Sequence, residues 1–306
     1  MSRARRGPRH GMTHGHAPPA RPTGRRYLVG AIAASAIVIV LAVAWFLGRS
    51  PAGQSALARL GTADVHSLAF VGDDPKHLLF GHHGGILESV DGGRSWQPLP
   101  TRADAMGMAP ASDGSIVIAG HEVFTASRDG GTTWQDIPAN LPSLDIHGFA
   151  RDPADPGRMW ALLATGGLWE SRDDGVRWEQ VRPDNILFPV ATTVDGSTRL
   201  YGVDVSGLAT STDGGRTWAP LTSPPAYPIT SFTATADGGT LLIGAPDGIY
   251  RSDDRGGSWR KLPFIGSAFA VAISAGAREI AVVPKETQFF RSHDGGETWP
   301  GSGAVP

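Results

Sequence analysis

One octapeptide pattern, S-x-D-x-G-x-x-W, occurs six times in the 306-residue chain and constrains its fold more than any other feature. The copies are SVDGGRSW (89–96), SRDGGTTW (127–134), SRDDGVRW (171–178), STDGGRTW (211–218), SDDRGGSW (252–259) and SHDGGETW (292–299). Their aspartates are Asp91, Asp129, Asp173, Asp213, Asp254 and Asp294, so the successive intervals are 38, 44, 40, 41 and 40 residues. A period near forty marks one supersecondary unit, repeated, that cannot bury its apolar face alone. Four short strands with their turns fill such a unit, the size of one propeller blade. The third unit displays the order: IHGFARD, RMWALLA and GLWES, then the octapeptide and WEQV. The chain's 41 glycines and 24 prolines agree, since both residues suit tight turns and disfavour long helices.

Each position of the octapeptide has a physical task. The Asp carboxylate accepts backbone N–H bonds within its own turn, and the Ser hydroxyl adds another bond. The Gly supplies a backbone conformation that a Cβ obstructs. The Trp opens the next strand and buries apolar surface between neighbouring units. These residues are therefore read as structural, not catalytic.

The octapeptide resembles the Asp-box, or BNR, repeat, and the resemblance covers residues 62–306. It is similar to the repeats of sialidases, xyloglucanase-type glycoside hydrolases, sortilin-type receptors and photosystem-assembly factors. It is also similar to those of bacterial membrane-anchored proteins labelled glycosyl hydrolases on the strength of such repeats. The resemblance implies an all-β fold: a six-bladed β-propeller in which the first strand of each blade lines a channel and the fourth lies outermost. The octapeptide then joins strands three and four. Five copies continue with an apolar residue three positions beyond the Trp, whereas the sixth continues WPGSGAVP and lacks a good outer strand. Residues 56–61, ALARLG, are expected to pair there, close the ring and protect its edge.

The N-terminal part has a different character. Residues 1–26 carry seven arginines and no acid, which leaves 20 of the 27 basic residues against 29 acidic ones in the remainder. The body is acidic, which excludes nucleic acid as its expected partner. Residues 27–47, YLVGAIAASAIVIVLAVAWFL, carry no charge and as a helix would span about 31 Å, enough to cross a bilayer. The preceding arginines place the tail in the cytoplasm and the body outside, so a single-pass transmembrane helix in the cell membrane is expected. A cleaved signal peptide is the alternative, although its apolar region is normally shorter. His10, His14 and His16 lie in the tail, which reads as a disordered basic segment drawn to anionic lipid. Residues 48–61 read as a linker. Without cysteine, the chain has no disulfide framework, thiolate site or cysteine nucleophile.

In a propeller, strand direction sorts loops between two faces, with the octapeptides at the bottom. The starts of the first strands and the turns between strands two and three share the top. There the first three units read DVHSLAF (64–70), DAMGMA (104–109) and DIHGFA (145–150), with the turns GHHGG (81–85) and GHEV (120–123). This places Asp64, His66, His82, His83, Asp104, His121, Glu122, Asp145 and His147 in one neighbourhood, whereas units four to six have no matching histidine. Convergent imidazoles and carboxylates suit a divalent transition metal, zinc or copper, with His66, His82, His83, His121 and His147 as its ligands. Met106 and Met108 would favour a softer ion if they faced it. Asp64, His66, Asp104, Asp145 and His147 suit a polar ligand equally, and the same groups can simply hydrogen-bond their own turns.

The resemblance brings two activities to test. Sialidase chemistry requires three arginines gripping a carboxylate, a tyrosine nucleophile with its acid partner, and a separate aspartic acid. Here Arg94, Arg128, Arg172, Arg177, Arg216, Arg251, Arg255 and Arg291 lie in or beside the octapeptides, leaving Arg102 and Arg182 for the top. The Arg-Ile-Pro motif is absent. A glycoside hydrolase with two top-face carboxylates needs only a correctly separated pair, and Asp64, Asp104, Asp145, Asp204, Asp247 and Glu286 are available. No long insertion walls a sugar cleft. The expected role is therefore a binding or assembly module for a protein or glycan partner, with glycoside hydrolysis as the alternative.

Overall fold

The computed structural model describes residues 54–205, 207–221 and 224–300. The basic tail, the apolar segment 27–47 and residues 48–53 of the linker lie outside the described residues. Among those that are described, no helix is long and apolar enough to cross a membrane.

The described chain is all-β: a six-bladed propeller of six four-stranded antiparallel sheets. Blade 3 is representative, with strands Ile146–Arg151, Met159–Leu163, Gly167–Ser171 and Trp178–Arg182 in that spatial order. Five blades are built from consecutive strands. In blade 6 the outer place is taken by Ala58–Arg59 from the start of the body, with Ala58 opposite Phe289 and Arg59 opposite Gln288. Leu57 N donates to Phe289 O at 2.8 Å and Leu60 N to Thr287 O at 2.9 Å, so the last described blade is completed by the first described residues.

Second strands carry the core. Ile116–Gly120, Met159–Leu163 and Leu241–Ala245 are buried at every position because each blade is covered on both faces by its neighbours. They accordingly read as continuous apolar runs rather than alternating ones. The buried residues form six apolar clusters, one at each joint between blades. At the joint of blades 2 and 3, for example, Val117, Ala119 and Phe124 meet Met159, Ala161 and Trp178.

The octapeptide turns knit themselves internally. In blade 2, Ser127 Oγ donates to Asp129 Oδ1 and accepts from Gly131 N, each at 2.8 Å. Thr133 donates to the same carboxylate through its amide at 2.8 Å and its hydroxyl at 2.6 Å. Trp134 Nε1 closes the turn on Gly131 O at 3.0 Å. The bonds from Thr133 and Ser127 hold the Asp129 carboxyl at about 2. Outer strands are shorter than the pattern suggests: Gln97–Pro98, Gln135–Asp136, Ala219–Pro220 and Arg260–Lys261 have two residues each. These positions are exposed and two of them are prolines, which lack the N–H needed to extend a ladder.

First strands of all six blades line a central cavity of about 600 Å³. Its walls mix apolar side chains such as Phe70, Met108, Phe149 and Phe232 with polar ones such as Ser67, Arg151, Ser231 and Thr233.

Candidate functional site

The top of the first three blades carries a continuous arc of imidazoles and carboxylates, and the backbone explains the assembly. In blade 1 the second and third strands end on the pair His82–Gly85, leaving His83 and Gly84 as a two-residue turn. In blade 2 the matching pair is Gly120–Val123, which puts His121 first in its turn and Glu122 second, at φ 56. Backbone bonds between blades dock each turn onto its neighbour. Ala105 N donates to His82 O at 3.3 Å, Glu122 N donates to Leu144 O at 3.1 Å, and His121 forms a bridge with Asp145. Each hairpin tip thus meets the aspartate that opens the next blade.

Three overlapping groups result: Asp64 with His66 and His83, His83 with Asp104 and His121, and His121 with Asp145 and His147. His66 Nε2 lies 2.9 Å from His83 Nδ1 and 3.6 Å from Asp64 Oδ2, and His83 Nδ1 is in close contact with that same oxygen. His83 Nε2 points the other way and lies 3.9 Å from Asp104 Oδ2. His121 Nδ1 meets Asp104 Oδ2 at 2.7 Å, while its Nε2 lies 3.6 Å from Asp145 Oδ1. His147 Nε2 completes the arc at 3.0 Å from Asp145 Oδ1. The imidazoles also pack on one another: His66 meets His83 and His121 meets His147 edge to face, with ring centroids 4.2 and 5.1 Å apart, and His83 lies parallel to His121 at 6.1 Å.

Burial grades along the arc. The side chains of His66 and Asp104 are 13% and 12% exposed, whereas His83, His121 and His147 stand open to solvent. Burial lowers the His66 pKa, against the pull of Asp104, and His121 lowers it further. A neutral ring keeps the lone pair that a metal requires. Asp104 Oδ1 is buried without a hydrogen-bond partner and lies 3.6 Å from His66 Nε2. A buried carboxylate oxygen left open among imidazoles fits the coordination chemistry of a divalent ion.

Seven of the residues singled out in the sequence therefore meet: Asp64, His66, His83, Asp104, His121, Asp145 and His147. Glu122, at φ 56 in the second turn, does not join them, and neither does His82. His82 ends a strand on the same side as Phe80, with ring centroids 6.2 Å apart, and its Nδ1 accepts the Gly84 amide at 3.1 Å. Successive strand residues point to opposite faces, so His82 turns from the arc while His83, at the hairpin tip, turns into it. Met106 and Met108 line the central cavity, as do His66 and His147, so the arc borders the channel mouth. Among the carboxylates of the other blades, Asp247 is held by Lys261 Nζ at 2.6 Å and the Tyr250 hydroxyl at 2.7 Å.

The sequence reading missed the character of the opposite half. Leu187, Val205, Tyr227 and Ile265 are exposed apolar side chains at the top ends of blades 4 to 6 or in their connecting loops. Ile265 is also tied through both its N–H and C=O to the Gln54 side chain, at 2.8 Å each.

No protein-family model and no curated protein matches the chain. Solved structures do. A GH74 xyloglucanase from Xanthomonas campestris superposes with a TM-score of 0.55 at 19% identity, over 81% of this chain and 46% of that one. YCF48 from Cyanidioschyzon merolae gives 0.52 at 19% identity, over 81% and 87%. A propeller from a nidogen/laminin complex gives 0.59 at 15% identity, over 73% and 91%. The likeness is one of fold. The chain spans about half the length of the xyloglucanase, and these neighbours include both hydrolases and proteins that bind other proteins.

Proposed function

We propose that this chain is a membrane-anchored, extracytoplasmic Asp-box propeller that serves as a binding or assembly module. Its recognition face is the top, and the His/Asp arc there takes a divalent transition metal, zinc or copper. The arc carries this reading: seven His and Asp side chains from three blades converge into three overlapping groups able to hold an ion, and the buried Asp104 Oδ1 among them has no hydrogen-bond partner. Three protein ligands per ion would leave coordination positions open for a group from a partner. The exposed apolar residues across the same face add contact area of the kind interfaces use. YCF48 bound to a D1 peptide and the nidogen/laminin complex are propellers of this fold engaged with peptide or protein. Residues 27–47 would tether the module as a single-pass helix.

Glycoside hydrolysis has less support. Asp64, Asp104 and Asp145 lie side by side on adjacent blades, each beside a histidine, rather than facing one another across a cleft. On the other side Asp247 is engaged by Lys261. The test is metal content of the full chain purified without an affinity tag, beside a variant with His66, His83, His121 and His147 changed to alanine. Bound zinc or copper that the variant loses is expected. No metal in either protein would overturn the metal reading and leave partner binding through the apolar half of the face.

A further inference from the structure

Building on the metal-binding reading, we propose that the arc holds two divalent ions at once, with Asp104 between them as the residue that positions a histidine of each site. The two outer groups, Asp64/His66/His83 and His121/Asp145/His147, share no residue, so both can be filled together. Each supplies one carboxylate and two imidazoles, a common donor set for a divalent transition ion with positions left open. The middle group takes one histidine from each side, so an ion there would empty both outer sites of a ligand.

The ring orientations favour the outer pair. His83 directs Nδ1 to Asp64 and Nε2 toward Asp104, while His121 directs Nδ1 to Asp104 and Nε2 toward Asp145. Each shared ring therefore has one nitrogen on an outer group and the other on the Asp104 carboxylate. Metal-bound histidines characteristically donate their second ring N–H to a carboxylate, which fixes the tautomer and makes the ligating nitrogen more basic. Asp104 Oδ2 does this for His121 Nδ1 at 2.7 Å, and at 3.9 Å from His83 Nε2, beyond hydrogen-bond distance, it acts on that ring as a nearby charge. Its other oxygen lies 3.6 Å from His66 Nε2, so the carboxylate also offsets positive charge on the first site. One central carboxylate thus serves two sites.

The experiment is zinc and cobalt stoichiometry on the full chain, with His10, His14 and His16 changed to alanine so that the tail binds nothing. Zinc is counted by mass spectrometry after gel filtration, and cobalt is followed by its visible absorption. Two ions per chain are expected, falling to one in His66→Ala and to one in His147→Ala. Those two histidines belong to the outer groups only, so an ion in the middle site would be indifferent to both changes. Asp104→Asn should weaken both sites by roughly 10–100-fold. In the copper-loaded chain the paired ions should show magnetic coupling by electron paramagnetic resonance, lost in His147→Ala. His147 is exposed, so this variant tests the pair without threatening the fold. A single ion that survives both single-histidine variants would overturn the two-ion proposal and leave the metal reading intact. No ion at all would overturn both. Two ions with affinities unchanged in Asp104→Asn would overturn the assignment of Asp104.

Discussion

Replacing Gly93 with alanine should damage the ring joint far more than replacing Gly130, although both glycines belong to octapeptide turns. Gly93 sits at φ 90, and a Cβ there would run into the Phe289 ring of blade 6. Phe289 is fully buried, packs against Trp96 with centroids 5.1 Å apart, and faces Ala58 across the closing strand pair, so it has nowhere to retreat. Gly130 sits at φ 71 with nothing within 4 Å of its added carbon. The left-handed backbone costs an alanine about 1–2 kcal/mol at either position. Overpacking adds about 1–3 kcal/mol at Gly93 alone. That difference should appear as roughly 2–12 °C of extra melting-temperature loss, at about 2–4 °C per kcal/mol for a body of this size. The chain already carries the control, since Asp174 and Arg255 occupy the position of Gly130 in their own turns at φ 60 and 62. Thermal unfolding by circular dichroism of Gly93→Ala, Gly130→Ala, Phe289→Ala and the Gly93/Phe289 double variant measures the coupling. Equal losses in the two glycine variants, or no coupling between Gly93 and Phe289, would refute the argument that the joint selects this glycine.

Two further outcomes follow from charged groups. The aspartates of the octapeptides have lowered pKa values, with Asp129 and Asp254 at about 2, held by hydroxyl and amide donors of Thr133 and Ser127 or of Ser258 and Ser252. A folded value below the unfolded 3.8 means that this stability is present above pH 3.8 and is lost as pH falls toward about 2. Melting temperature measured against pH should therefore drop across that interval, and Asp129→Asn should flatten the drop. Glu170, nearly buried, accepts Arg158 Nε at 2.8 Å and Nη2 at 2.6 Å, with Arg172 and Arg216 beside it. Glu170→Gln leaves Arg158 with only the more distant Asp152 carboxylate, at 4.0 Å, and should cost about 3 kcal/mol in denaturant unfolding; a loss under 0.5 kcal/mol would contradict that.

The scaffold was legible because it is written six times. Period, turn residues and apolar second strands such as MWALL each imply the same blade, and the weak tail of the sixth copy pointed to residues 56–61 as the missing edge. The arc was legible only as a neighbourhood. Which of His82 and His83 enters it depends on a single residue step at the end of a strand, because the side chain reverses direction there. The use of both ring nitrogens by His83 and His121 depends on docking between blades, which no local pattern encodes. The short outer strands and the exposed Leu187, Val205, Tyr227 and Ile265 belong to loops whose direction is set by tertiary packing rather than by periodicity.

The two faces of the propeller are under different physical demands, and this is why chemistry gathers where it does. At the bottom every turn must satisfy its own buried donors and seat a glycine against the preceding blade, so six nearly identical octapeptides recur and their polar groups are consumed by one another. The hairpin tips at the top carry no such requirement, because their backbone bonds are made by the strands beneath and by the adjoining blade. Side chains there are free to differ from blade to blade. Blades 1 to 3 use that freedom for imidazoles and carboxylates, while blades 4 to 6 use it for exposed apolar groups. Among the described residues, neighbouring-blade geometry turns isolated His and Asp residues into a connected array at the top, the face where the repeat departs from its own symmetry.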